Sequence, residues 1–135
     1  MKGDLRKTMT SYRISTGDKL IYLQIQGNVS ATEIVSFLRE VSTDEDYNRT
    51  FNSILDLRKV ENMLSAREAQ GIIESASSIR GHARAKSAVI TDGVFKKNLV
   101  DMASALKKTQ TLEVKGFTNL EDACSWLNVK ENVLN

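Results

Sequence analysis

The chain has 135 residues, 41% of them hydrophobic, with 19 Lys and Arg against 17 Asp and Glu for a net charge of +2. A chain of that length buries a full core without disulfide or metal staples. That balance excludes disordered and fibrous classes and leaves no basic footprint for nucleic acid.

In chain order, the first element expected is a short strand from Tyr12 to Ser15. The Thr16-Gly17-Asp18 cluster turns it into a second strand, "KLIYLQIQG", as an antiparallel hairpin. Ile21, Leu23 and Ile25 alternate with Tyr22, Gln24 and Gln26, the period of a half-buried strand with one wetter face. A first helix follows: Ser30 and Glu33 have capping-box spacing, and Ile34, Phe37, Leu38 and Val41 form its apolar stripe. "FNSILDL" then reads as a central strand buried on both faces. Ser65 and Glu68 repeat the capping box, and Ala69, Ile72, Ile73, Ala76 and Ile79 carry a second helix to a left-handed stop at Gly81.

"KSAVITDG" predicts a fourth strand, and Phe95, Leu99, Met102 and Leu106 predict a third helix. "TLEVKGF" alternates as an edge strand would, with Thr111, Glu113 and Lys115 outward. Thr118 with Glu121 predicts a last capped helix with Leu120, Ala123, Cys124 and Leu127 inward, before a frayed tail. The order β-β-α-β-α-β-α-β-α requires an α/β fold with a mixed, mostly parallel five-stranded sheet and four helices. One domain over residues 1–135 is expected, its core running from about residue 11 to about residue 128.

Chemistry is sparsely provided. Cys124 and His82 are each single in the sequence, which leaves no intrachain disulfide, no closed zinc site and no ready catalytic triad. "GNVSATE" has neither a dinucleotide fingerprint nor a P-loop ending, and no nucleophile elbow occurs. No catalytic residue, metal or cofactor is therefore assigned. No apolar stretch nears the roughly 20 residues that span a bilayer. The start "MKGDLRKTMT" lacks the apolar core of a secretory signal, so a cytoplasmic location without a membrane span is expected.

Ligands of open α/β sheets collect at the carboxyl ends of the strands. Those ends offer Asp56, Arg58 and Lys59, then Thr91 and Asp92. Two readings stand: a local Asp56–Arg58 ion pair with Asp92 capping the next helix, or an interaction site. Lys96 and Lys97 fall in the first turn of the third helix, where the macrodipole disfavours cations. With free backbone N–H groups they would suit an anion or a phosphorylated partner. Arg80, Arg84 and Lys86 in "RGHARAK" lack an aromatic for base stacking and read as a solvated turn. Cys124 reads as a small buried hydrophobe.

From about Tyr12 to Leu127 the chain resembles STAS-type domains (sulfate transporter and anti-sigma-factor antagonist), and especially the small bacterial proteins grouped with them. The resemblance rests on "LIYLQIQGNVSATEI", on "FNSILDLRKV" closed by Asp-Leu-Arg, and on "FTNLEDACSWL". It implies a non-enzymatic module. The family's anti-sigma antagonists bind a kinase partner, are phosphorylated on a serine at the start of the helix after the third strand, and then lose affinity. Ser65 occupies the corresponding place, with Arg67 near enough in sequence to pair with a phosphate. The family's serine follows an aspartate in an Asp-Ser-Ser/Thr-Gly turn, whereas "MLSAR" puts Leu64 for the aspartate and Arg67 for the glycine, which counts against a phospho-switch.

Two functions follow as expectations. The first is a regulatory module acting by protein contact through the edge between the third strand and second helix, with the wetter face of the second strand open to a homodimer. The second, implied by the related group in the same broad fold, is a carrier of a small apolar, lipid-type ligand beneath the helices. Phe95, Leu99 and Met102 are the stripe that would face that ligand.

Overall fold

The computed structural model describes residues 8–62, 64–92 and 111–131. Its strands are β1 (Met9–Ser15), β2 (Leu20–Gly27), β3 (Asn52–Val60), β4 (Ala85–Ile90) and β5 (Leu112–Phe117). Its helices are α1 (Ala31–Val41), α2 (Ala66–Ile79) and α3 (Leu120–Leu127). The sheet order is β1-β2-β3-β4-β5. β1 runs antiparallel to β2, and every later pairing is parallel. The mixed, mostly parallel α/β architecture expected from the sequence is thus the one observed. The third helix expected from the Phe95 stripe, together with Lys96 and Lys97, lies outside the described residues.

Alternation on β2 decides which face each helix covers. Ile21, Leu23 and Ile25 point to one face, where they pack with Ile34 and Phe37 of α1 and Ile72 and Ile73 of α2. Leu55 and Leu57 of β3 join that cluster, while Ile54 points the other way. On the second face Ile54, Ile90 and Phe117 meet Ala123, Cys124 and Leu127 of α3. β3 and β4 are buried on both sides, the reason their sequences read as unbroken apolar runs. Each fully buried Ile or Leu stabilises the fold by roughly 1.5–3 kcal/mol. α3 packs against β4 and β5, so the β1–β2 half of the second face carries the half-buried Tyr22, Gln24 and Gln26.

Local chemistry sets the helix ends. Both predicted boxes form: Ser30 and Ser65 accept from the backbone of Glu33 and Glu68, whose carboxylates accept from the serine N–H groups. α2 stops in a Schellman arrangement, with Gly81 N donating to Ser78 O (2.9 Å) and His82 N to Ser77 O (3.0 Å). Gly81 has φ +61° and His82 φ +62°.

Three boundaries differ from expectation. β1 begins at Met9 rather than Tyr12, because its exposed first residues are fixed by register with Gln26, Ile25 and Gln24 and not by burial. α3 is capped by Asn119, which accepts from Asp122 N at 2.8 Å, so Thr118 precedes the cap and Glu121 stands one residue too early to serve as the third helical residue of a box. Asparagine is also the stronger cap of the two. Finally, β3 continues to Val60, which places Asp56 inside the strand and not beyond it.

Candidate functional site

The carboxyl ends of β2 and β3 are tied together by backbone and by one side chain. Glu61 N donates to Gly27 O at 2.9 Å. Asn62 accepts from Val29 N and donates to Val29 O, each at 2.8 Å, mimicking a strand pairing between the two connections. Ser65 opens α2 just beyond this clasp. It is exposed, and its Oγ accepts from Glu68 N at 3.1 Å. Arg67 and Lys59 are exposed as well. Among the described residues no hydrogen bond or ion pair joins either of them to Ser65, Asp56 or Arg58.

Asp56 and Arg58 do come together. Gln24 faces Asp56 while Gln26 faces Lys59, so β3 carries one extra residue there, a bulge that re-aims its side chains. Arg58 folds back to donate from Nε to Oδ1 (2.9 Å) and from Nη2 to Oδ2 (2.7 Å) of Asp56, a bidentate pair. Its backbone N–H donates to Oδ1 at 3.1 Å, and the Tyr22 hydroxyl from β2 donates to Oδ2 at 2.7 Å. Asp56 is 1% exposed. Burial pushes its carboxyl up, but the hydrogen bonds from Arg58 and Tyr22 outweigh burial and hold it below its ordinary value. The pairing raises Arg58, and burial with the Asp56 hydrogen bond pushes the Tyr22 phenol up to about 12. A carboxylate so fully engaged is a poor general base and a poor ligand for anything else.

At the end of β4, Thr91 is fully buried and donates its N–H to Phe117 O at 2.9 Å, and Asp92 is exposed. Cys124 is a buried free thiol whose pKa is pushed up by burial, the opposite of an activated nucleophile.

A cavity of about 70 Å³ lies between the sheet and the α1–α2 layer, lined by apolar side chains such as Leu23, Leu55, Leu64, Ile73 and Val89. Tyr47, Ser53, Arg80 and Ser87 are the polar groups on its wall. Here the sequence reading needs correction, because Arg80 is not in a solvated turn. It is 7% exposed, and its Nη1 donates to Arg49 O (2.9 Å) and Phe51 O (2.7 Å). Position 80 continues the buried stripe of α2 at the spacing set by Ile73, Ala76 and Ser77, a signal hidden by reading every arginine as solvated. Lys86 of the same stretch lies over the Trp126 ring at 5.1 Å.

No family model matches the chain, and no curated protein matches it in sequence. Among solved structures it is similar to an uncharacterised protein from the DUF3478 family with a SpoIIAA-like fold from Shewanella loihica PV-4. The TM-score is 0.58 at 14% identity, covering 94% of this chain and 98% of that one. The chain therefore has a STAS-like, SpoIIAA-like fold, and the fold is what the two proteins share. Among the described residues no group of His, Cys, Asp and Glu could hold a metal ion, and no helix is long and apolar enough to cross a membrane.

Proposed function

We propose that the chain is a cytoplasmic, non-enzymatic regulatory module that acts by contact with a protein partner or a second copy of itself. The contact surface is the junction between β3 and α2, with the β1–β2 half of the second face beside it. The observation that carries this reading is the exposure of Arg58, Lys59, Ser65 and Arg67 around that junction, while the nearby carboxylate of Asp56 is locked into a structural pair. Three exposed cations would steer an acidic surface. Ser65 works foremost as a cap. A phosphate on it would meet a helix N-terminus that favours negative charge, and would displace the hydroxyl that now holds Glu68 N.

The test is light scattering after gel filtration together with capture from native lysate, repeated with Arg58→Glu, Lys59→Glu and Arg67→Glu combined. Self-association or a captured partner that the triple variant loses supports the reading. No association by either route removes it. Intact mass of the protein from native cells, against a Ser65→Ala form, reports whether Ser65 is modified.

A second reading is favoured by the cavity: a binder of a small apolar ligand held between the sheet and the helices. A ligand retained in native mass spectrometry after gentle purification supports it, and an empty, tightly packed core opposes it.

A further inference from the structure

Arg80 is the one described charged side chain that the fold buries without a counter-charge. It is 7% exposed, and the ion pair found among the described residues is Arg58 with Asp56, on the opposite face of the sheet. Arg80 makes its two hydrogen bonds from Nη1, to the carbonyls of Arg49 and Phe51. Nε and Nη2 meet no acceptor among the described residues. Two carbonyl dipoles do not neutralise a full charge, and burial pulls the guanidinium pKa down. Arginine is nevertheless the side chain that stays ionised when buried, so a cation on the wall of an apolar cavity invites an anion.

The rest of the wall has the same polarity gradient. The half-buried Tyr47 stands close enough to Arg80 for the guanidinium charge to act on its phenol, and its hydroxyl has no hydrogen-bond partner among the described residues. Ser53 and Ser87, paired across β3 and β4, hydrogen-bond to each other at 3.0 Å and extend the polar end of the wall where those strands begin. Leu57, Leu64 and Ala69 line the apolar end, where β3 gives way to α2.

We infer that this cavity binds a small carboxylate with an apolar body, its charged end held by the Arg80 guanidinium and the Tyr47 hydroxyl. The inference rests on the ligand-binding reading above and names the ligand's class. A single cation whose Nε and Nη2 meet no acceptor among the described residues matches one carboxylate in a bidentate fork. The cavity volume of about 70 Å³, roughly half the ~150 Å³ of an apolar cavity that takes up benzene, suits a short chain and excludes a two-tailed lipid.

The experiment is calorimetric titration of the full chain with hexanoate and with hexan-1-ol, which share a chain and differ in charge. Hexanoate binds at least about tenfold more tightly than the alcohol, and Arg80→Met abolishes that preference while leaving alcohol affinity within about twofold. Equal affinity for the two probes overturns the inference and leaves the ligand-binding reading standing. Binding of neither at millimolar concentration overturns both. Because Arg80 also ties down the Arg49 and Phe51 carbonyls, Arg80→Met can fail to fold. In that event the wild-type Arg80 Nε–H resonance decides: it shifts with hexanoate and not with hexan-1-ol if the inference holds, and an unmoved resonance overturns it.

Discussion

Replacing Asp56 with alanine removes the acceptor of four hydrogen bonds, from the Tyr22 hydroxyl and from Nε, Nη2 and the backbone N–H of Arg58. Breaking a buried pair costs about 3–5 kcal/mol when the surviving charge stays buried. The Arg58 side chain is 39% exposed, so water takes over part of its solvation. The cost left is that of the Tyr22 hydroxyl and the Arg58 N–H without partners, together about 2 kcal/mol. With a urea slope of about 1.5 kcal/mol per molar, the unfolding midpoint falls by about 1.3 M. A double-mutant cycle with Tyr22→Phe returns a coupling of about 1 kcal/mol, because the two groups share one hydrogen bond. The pH dependence has a definite sign. The folded carboxyl lies below its ordinary value of 3.8, so its stabilisation is complete above that pH and is lost as pH falls through the folded value. The advantage of wild type over Asp56→Asn should therefore shrink on acidification. A midpoint for Asp56→Ala within about 0.3 M of wild type, or a wild-type advantage over Asp56→Asn that persists into strong acid, would refute the assignment of Asp56 as a buried structural anion.

Tyr22 gives the alkaline counterpart. Its phenol is raised from 10.0 to about 12, so its contribution is present below pH 10 and lost between the two values, and the last step of the phenolate absorbance titration should be absent from Tyr22→Phe. Asn119→Ala should cost about 1 kcal/mol in urea unfolding, and Thr118→Ala should stay within about 0.5 kcal/mol, reversing the order that the Thr118 box would give. Gly81→Ala places a Cβ at φ +61° and 3.2 Å from Nη1 of Arg49. The flexible arginine can yield but the backbone cannot, so the melting temperature should fall by about 4 °C for a penalty of about 1 kcal/mol.

What could be read in advance was whatever depends on short-range spacing. The alternation of Ile21, Leu23 and Ile25 and the Ser30 and Ser65 boxes are set within a few residues, and so appear in the structure where the sequence puts them. The α3 cap was misread because Thr118-x-x-Glu121 and Asn119-x-x-Asp122 overlap with a one-residue offset. Docking of Ala123, Cys124 and Leu127 on β4 and β5 fixes the helix between them, and that is a tertiary choice. The Asp56 cluster depends on a bulge and on Tyr22, 34 residues away, neither of which local pattern reveals. Arg80 was hidden by its charge: its spacing belongs to the buried stripe of α2, and only the Arg49 and Phe51 carbonyls explain how a guanidinium is tolerated there.

The two ionic side chains buried among the described residues therefore carry opposite messages about where function resides. Asp56 sits inside β3, toward the carboxyl ends where ligands of this architecture collect, yet the fold supplies every partner its carboxylate can use, so that position is closed to small-molecule chemistry and presents only the outer edge of Arg58 to solvent. Arg80 sits at the opposite ends of the strands, on the other face, and receives from the described residues only two carbonyls. Stability alone would favour an apolar side chain at such a position. A charge kept there, beside a tyrosine hydroxyl without a hydrogen-bond partner among the described residues, is better accounted for by something it binds than by the fold it costs. The contact residues proposed at the β3–α2 junction, Arg58, Lys59, Ser65 and Arg67, and the Arg80 end of the cavity lie at opposite ends of the strands, so either set can be altered by mutation without touching the residues of the other.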